Sequence, residues 1–446
     1  MAMILRHMAK VALPPEQRLR VLGMYRYEGY GGQDTITYRY KDGIAYLPLN
    51  REKLAIVSKL LGEEIIDERS KGAPLDAPFI RQPEFSFRDY QVEPAEKLVE
   101  YIDRHQYGTF SAGCGTGKTV MCAYAGGMSG MKNLVLLDQT NLVTNWEEAY
   151  QLIWGKTPEL LTPKIKHLPD VAIATFQMLH KNPELLHRIQ SAYGHCNIDE
   201  AHTVKAKTFT EVMFRLSNFR RVATSATFYS KYLPTEVLVD ICGGPVAVTM
   251  VDHRALKCLV RFIATEVRVS TSDPTAFTAK VLPALAGNDE RNNRVVSIIG
   301  KCSALNRRII VIAITQEQAE YLAQKLEGVC STEVYVGSTS KKRDKELKDN
   351  FEAGRTRCVI TCKKFNKGTD FPSADTIIFA NPSNNKAAVE QLRGRIVRSA
   401  EVKPEPWVFD LVDSGSITWR WAANRHAWYR GLGDRFDKPD YVFLEA

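Results

Sequence analysis

The sequence predicts an α/β protein built of two tandem parallel-sheet lobes preceded by a small β/α module, on three observations. Apolar runs of four to seven residues alternate with helical stretches from about residue 85 to 245, and again from about 255 to 415. Between residues 24 and 68 the pattern differs, with two alternating runs followed by one amphipathic helix. The chain has 446 residues, room for two large domains and a small one at roughly 100 to 200 residues each.

In the first module, TITYRY and IAYLPL alternate as strands do, and Lys41, Asp42 and Gly43 join them. Asp-Gly between such runs is a strong hairpin signal. Alternation turns Tyr38 and Tyr40 to one face and Arg39 to the other. Asn50 then caps a helix whose apolar stripe is Leu54, Ile56, Val57, Leu60 and Leu61, and Gly62 ends it. The Pro- and Gly-rich SKGAPLDAPFIRQP marks the boundary, so residues 1–80 are expected to form an accessory domain. In the next block NLVLLD, VAIATF, HCNIDE and RVATSAT read as strands buried on both faces of a parallel sheet. RIIVIAI, TEVYVG, CVITC, TIIFAN and WVFDLVD repeat the pattern in the last block. ICGGP at residues 241–245 is the expected hinge, which gives lobes at 81–245 and 246–446.

Composition narrows the function. Hydrophobic residues at 44% and charged residues at 25% describe a globular protein rather than a disordered or fibrous one. No apolar run reaches the ~18 residues of a membrane span, and MAMILRHMAKVALPPEQ lacks the apolar stretch of a secretory signal. An intracellular protein without a membrane partner is expected. The nine cysteines contain no CxxC pair, and Cys358 and Cys362 flank a strand, so neither a disulfide framework nor a zinc site is indicated. A net charge of +9 suits a polyanion partner, although charge alone does not single one out.

The chemistry begins at SAGCGTGKTV. Gly113, Cys114, Gly115, Thr116 and Gly117 form a Gly-rich loop that enters a helix at Lys118 and Thr119. Backbone N–H groups of such a loop, with the positive end of the helix dipole, cradle phosphates, and the lysine reaches the β and γ oxygens. The threonine hydroxyl is placed for Mg²⁺. Further on, Asp199 and Glu200 stand at the carboxyl end of an expected strand, the end at which parallel sheets bind ligands. Asp199 is suited to Mg²⁺ and Glu200 to orienting the attacking water. Acid pairs are common on surfaces, and the loop upstream is what gives this pair its reading.

In order, GCGTGKT, Asp199-Glu200-Ala201-His202, Ser225-Ala226-Thr227 and Gln391-Leu392-Arg393-Gly394-Arg395-Ile396-Val397-Arg398 resemble the motifs of superfamily 2 helicases of the DEAH-box kind. Arg88-Asp89-Tyr90-Gln91 resembles the adenine-reading segment, and LVLLDQTNLVTNW and VAIATFQML resemble nucleic-acid-contacting segments. Lys367-Gly368-Thr369-Asp370-Phe371-Pro372 has its counterpart in the second lobe. The resemblance covers roughly residues 85 to 415. It implies two RecA-like lobes, ATP and Mg²⁺ as cofactors, and a nucleic-acid-dependent ATPase. It also implies that Arg88 and Gln91 serve the adenine and Asp370 the nucleotide, and that Ser225 and Thr227 couple nucleotide state to movement. Gln391 would sense the nucleotide, while Arg395 and Arg398, three apart on one helix face, would be the arginine fingers.

Two departures stand out. Asp138-Gln139-Thr140 replaces a common Pro-Thr pair, and Lys363-Lys364-Phe365-Asn366 is unusually basic. Trp407 reads as core, whereas Trp419 to Tyr429, with Arg420, Arg425 and His426 interleaved, fits either a helix packed on the second lobe or a base-stacking surface. The compact plan and NDERNNR at 288–294 resemble the phage UvsW-type branch-migration helicases. That resemblance implies a monomer acting on DNA at forks, Holliday-type junctions or single-strand/duplex junctions, in the host cytoplasm if the chain is viral. An RNA helicase and a restriction-type DNA motor stay open, as does an ATP-dependent clamp that grips without moving. The module at 1–80 is the expected chooser of substrate, with buttressing of the first lobe as its rival role.

Overall fold

The computed structural model describes residues 2–27, 35–113, 116–201, 207–225, 235–242, 246–250, 256–269, 277–336, 341–362, 371–397 and 404–437. The chain divides into two compact units, Met1–Asp252 and His253–Ala446. Among the described residues no helix is long and apolar enough to cross a membrane.

The first unit opens with a five-stranded sheet ordered Arg39–Lys41, Ile44–Leu47, Ala9–Ala12, Met3–Leu5 and Ile65–Asp67. Its hairpin pairs Tyr40 with Ala45, and Asp42 (φ 51°) and Gly43 (φ 80°) both take the left-handed backbone that a two-residue turn requires. Tyr38 and Tyr40 pack on the module's core while Arg39 is exposed. The helix Arg51–Leu61 is capped by the Asn50 side chain, which accepts from the Lys53 N–H, and it ends at Gly62 (φ 64°). It buries Leu54 and Val57 but leaves Ile56 half exposed, because two helical residues separate side chains by ~200° and so put Ile56 off the stripe. The module also starts earlier than its sequence pattern indicated, since Met3–Leu5 and Ala9–Ala12 form its centre. Strands of three and four residues are too short to show a period.

The module is seated on the lobe behind it. Asp240, buried on the helix Thr235–Cys242, accepts from Asn50 Nδ2 (2.8 Å), Thr37 Oγ1 (3.1 Å), Lys53 Nζ (3.1 Å) and the Tyr27 hydroxyl. Tyr107 is part of the module's own apolar core, with the Arg69 guanidinium 4.9 Å from its ring centre. These contacts fasten the module to the first lobe.

The lobe's seven-stranded sheet is parallel throughout, in the order Glu159–Leu160, Val171–Thr175, Asn133–Leu137, His195–Ile198, Arg220–Ser225, Tyr107–Ala112 and Val246–Met250. Its central runs are apolar without alternation because each feeds two cores. Leu134 and Leu136 join the core on one face, Val135 and Leu137 that on the other. The strand Val246–Met250 carries this lobe past the expected hinge, and the division between the units falls after Asp252.

The second unit repeats the plan, with parallel strands in the order Thr332–Tyr335, Cys358–Thr361, Ile309–Ile312, Thr376–Phe379, Trp407–Ser414, Leu259–Arg268 and Arg435–Phe436. Ile310 and Ile312 face one core, Ile309 and Val311 the other. Leu259–Arg268 is a strand the apolar pattern does not reveal. It lies one place from the sheet edge and carries Arg261, whose guanidinium covers the Trp407 ring at 4.3 Å and pairs with Asp437 at 2.5 Å. The helix Ser416–Gly431 packs much of the aromatic segment on the second lobe. Trp421 meets Phe277 edge-on at 4.6 Å between ring centres, and Trp428 packs on the core. Among the described residues no group of three or more His, Cys, Asp or Glu is placed to hold a metal, and Cys358 lies buried in its strand.

Candidate active site

Three strand ends converge in the first lobe. Tyr107–Ala112 leads into Gly113, Arg220–Ser225 ends at the buried Ser225, and His195–Ile198 leads into Asp199 and Glu200. The strand of Ser225 lies between the other two. At ~4.8 Å per strand the Gly-rich loop and the acid pair stand ~10 Å apart, a span that a triphosphate bridges.

The loop is fixed from below by a residue assigned from sequence to adenine. Gln91 Nε2 donates to the Thr116 carbonyl at 2.8 Å, its Oε1 accepts from the Arg88 N–H at 3.1 Å, and Thr116 Oγ1 donates to the Gly113 carbonyl at 2.8 Å. Gly117 has φ 90°, and a Cβ there would overlap the Gln91 amide nitrogen. Glycine is thus required twice over, by its backbone and by the close approach. The helix Lys118–Met128 starts immediately afterwards, with Lys118 and Thr119 in its first turn, half-buried. Arg88 is exposed, and its Nη1 donates to the Tyr90 hydroxyl at 3.0 Å.

Both oxygens of Asp199 are held. Oδ1 accepts from the Glu200 N–H at 2.9 Å and Oδ2 from Trp146 Nε1 at 2.9 Å. Burial pushes this carboxyl up from its ordinary range and the Glu200 charge pushes it further, while the Trp146 hydrogen bond and the Lys118 ammonium pull it back. The Lys118 charge therefore favours the ionised form of Asp199. Glu200 follows with φ 48°, a left-handed backbone uncommon for a residue with a side chain.

In the second unit Gln391 (half-buried) and Arg395 (buried) lie on the helix Lys386–Ile396, capped by Asn385 Oδ1 accepting from the Ala388 N–H at 3.2 Å. Arg393 pairs with the buried Asp434. The approach to this helix is clamped by two buried ion pairs from one strand. Arg291 Nε donates to Asp413 at 2.8 Å and its Nη2 to the Ala380 carbonyl at 2.6 Å. Arg425 donates twice to Asp410, at 2.8 and 2.7 Å, and its Nη1 to the Ser383 carbonyl at 2.9 Å. NDERNNR is thereby accounted for as structure, with Asn288 capping the helix Asp289–Ala304 and Arg291 buried. Cys114, Gly115, His202, Thr227, Lys363 to Lys367, Asp370 and Arg398 lie outside the described residues, so the two expected fingers are not seen together.

Residues 84–230 match the family model of the type III restriction enzyme res subunit, and residues 290–400 that of the helicase conserved C-terminal domain. Each model falls on one of the two parallel-sheet lobes. Together the two domains support a helicase of superfamily 2. The helicase is 22% identical to "Probable helicase D10" of Escherichia phage T5 over 396 residues, covering 87% of this chain and 84% of that protein. It is 23% identical to "Transcript termination protein A18" of Yaba monkey tumor virus over 333 residues, 68% of this chain and 67% of the relative. The vaccinia virus protein of that name is 21% identical over 350 residues, 74% and 70% of the two chains. Among solved structures the helicase is similar to S. cerevisiae Dbp5, described as bound to RNA and ADP BeF3, with a TM-score of 0.55 and 16% identity over 77% of this chain and 89% of that one. That likeness shows the shared fold. A nucleic-acid-dependent ATPase follows from the two helicase domains and the helicase relatives.

Trp146 is the site residue that the motifs leave unmarked. It is present in LVLLDQTNLVTNW as a member of a nucleic-acid segment, and its one available signal is the Trp146/Tyr150 pair at helical spacing.

Proposed function

We propose that the helicase is an ATP-driven motor that remodels branched DNA, with the nucleotide seated in the first lobe between the Gly-rich loop and the acid pair. The observation that supports this most is the loop and the acids at carboxyl ends of one parallel sheet, separated only by the strand of Ser225, with Lys118 opening the helix that follows the loop. In this reading Gly113 to Gly117 cradle the phosphates and Lys118 draws on the β and γ oxygens. Arg88 takes the adenine side, while Gln91 holds the loop that meets the phosphates. Glu200 orients the attacking water and accepts its proton. Gln391, Arg395, Arg398 and Asp370 act on the same nucleotide from the second lobe, and Ser225 and Thr227 pass its state to the lobes.

The donor set suits Mg²⁺. Hard oxygen ligands, the Thr119 hydroxyl and the Asp199 carboxylate, stand at the loop and the acids, and a divalent cation relieves a buried carboxyl held up by burial and a like charge. When bound, the ion neutralises phosphate charge. The chain's own part is to hold the Asp199 carboxylate in fixed orientation and to present Lys118 from the first turn of the helix after the loop.

Branched DNA is proposed from the resemblance to UvsW-type enzymes and from the docked module, whose exposed Arg39 and Lys41 point outward beside the hairpin turn. A rigid second contact beside the motor is what a branch needs for recognition. The poxvirus relatives, by their printed name, act in transcript termination, which favours a second reading in which RNA is the strand displaced. ATP turnover measured with single strands, duplex, forks, four-way junctions and RNA decides between them. Strongest stimulation by forks and junctions, abolished by Glu200→Gln with nucleotide binding kept, is expected. Stimulation by RNA alone would replace branched DNA by the second reading, and wild-type turnover in the Glu200→Gln protein would remove that residue's role.

A further inference from the structure

Trp146 is fully buried on the helix Val143–Trp154, and its indole N–H ends on Asp199 Oδ2 at 2.9 Å. One turn further on the Tyr150 hydroxyl donates to Asn133 Oδ1 at 3.3 Å and accepts from Asn197 Nδ2 at 3.5 Å. Four helical residues advance ~6 Å and two strand residues ~6.6 Å, so two polar tips one turn apart match Asn197 and Asp199 on one face of the strand. Helix and strand run in opposite senses, Trp146 meeting Asp199 and Tyr150 meeting Asn197. A slide of the helix breaks both contacts together. The phosphate-loop helix is seated on the same node, since a Cβ on Gly126 would overlap Asn133 Oδ1 and crowd the Tyr150 hydroxyl.

The other end of this helix leads outward. It follows directly on Asp138 to Leu142, and Asp138 Oδ1 accepts from Gln177 Nε2 at 3.0 Å, tying it to the helix Phe176–Lys181. Those are the two segments whose sequence resembles nucleic-acid contacts, and Thr140, Thr144 and Asn145 are exposed there.

We propose that Trp146 is a positioning residue that links nucleic-acid contact at residues 138–145 to the orientation of Asp199. The chemistry of the donor supports it. An indole N–H donates and never accepts, so it fixes one carboxylate oxygen in one direction. Being neutral, it orients the carboxylate while leaving its charge for a cation, where an arginine or lysine in the same place would compete. The inference rests on Asp199 belonging to the ATP site.

The test uses the full chain with Trp146→Phe, which keeps a ring and removes the donor, and Asp199→Asn beside it. ATP turnover with and without a single-stranded oligonucleotide, affinity for a fluorescent ATP analogue by anisotropy, and the melting temperature are read together. Stimulated kcat is expected to fall about tenfold or more, as for other residues that orient a metal ligand, with stimulation lost more than basal turnover. Nucleotide affinity without Mg²⁺ is expected to stay unchanged, and its enhancement by Mg²⁺ to shrink. If the phenylalanine protein melts early, the sulfur analogue of tryptophan, benzothienylalanine, at position 146 keeps the shape and lacks the N–H. Full stimulation in the analogue, or in a stable Trp146→Phe, with Asp199→Asn inactive overturns the proposal. Wild-type turnover in Asp199→Asn overturns the site assignment itself, and this proposal with it.

Discussion

Removing the Arg425 guanidinium should unfold the second unit well before the first. Arg425 and Asp410 are each about 1% exposed at the side chain, and two of the guanidinium's donors meet the two carboxylate oxygens at 2.8 and 2.7 Å. A third holds the Ser383 carbonyl, and Tyr429 supplies Asp410 with one further donor at 3.1 Å. Arg425→Met keeps the stem and leaves a buried carboxylate with the tyrosine hydroxyl alone. Breaking a buried pair from one side costs about 3 to 5 kcal/mol, because a charge is stranded. At about 2 to 4 °C per kcal/mol for a unit of 150 to 250 residues, the melting transition should drop by roughly 10 °C. Replacing both partners, Arg425→Met with Asp410→Leu, strands no charge and forfeits hydrogen bonds to Ser383 and Tyr429, about 1 to 2 kcal/mol in all. Calorimetry of the full chain reads the two units' transitions, and the double variant should melt above the single one. A single variant melting within about 2 °C of the natural protein would refute the reasoning, and so would strict additivity in the cycle.

Gly117→Ala should weaken nucleotide binding about tenfold or more, since a left-handed alanine costs about 1 to 2 kcal/mol before the overlap with Gln91 is counted. Adding Gln91→Ala should not restore it, because the backbone term remains, and titration with a fluorescent nucleotide checks both. Asp240→Ala should lower the urea midpoint of the first unit by about 2 to 4 kcal/mol equivalent, as Lys53, Asn50 and Thr37 lose a buried acceptor, and an unchanged midpoint would mean the module is only loosely attached. His195 is wholly buried, and burial chiefly pushes it down to about 4, with Arg220 adding to the fall and the Asn197 hydrogen bond opposing it. The unfolded chain therefore takes up its proton near pH 6.5 while the native one does not. The first unit should lose up to about 3 kcal/mol as pH falls from 6.5 to 4, and His195→Gln should flatten that slope in acid unfolding.

The strands most legible in the sequence are those that feed two cores. Leu134 to Leu137 show no alternation because both faces are covered, and the same holds for Ile309 to Ile312. Leu259–Arg268 escaped because Arg261 lies flat on aromatic rings near the sheet edge, so a charge stands where an apolar residue was sought. Of the candidate site, the Gly-rich loop, Lys118 and the acids were picked out from local spacing. Trp146 was not, since its partner Asp199 is far along the chain and nothing local to an indole declares which carboxylate it will meet. Gln91 was placed near the nucleotide, yet that both ends of its amide would hold the loop depends on a contact between segments, which spacing cannot carry.

Glu200 sits in a left-handed backbone with φ 48°. A glycine there would be relieved of about 1 to 2 kcal/mol, and an asparagine of part of it. The position is thus one at which a search for sturdier variants and a search for working enzymes pull in opposite directions. Libraries sorted only by resistance to heat or protease should drift toward glycine at this codon, and with Glu200 in its proposed role the proteins so recovered would be the ones that no longer turn over ATP.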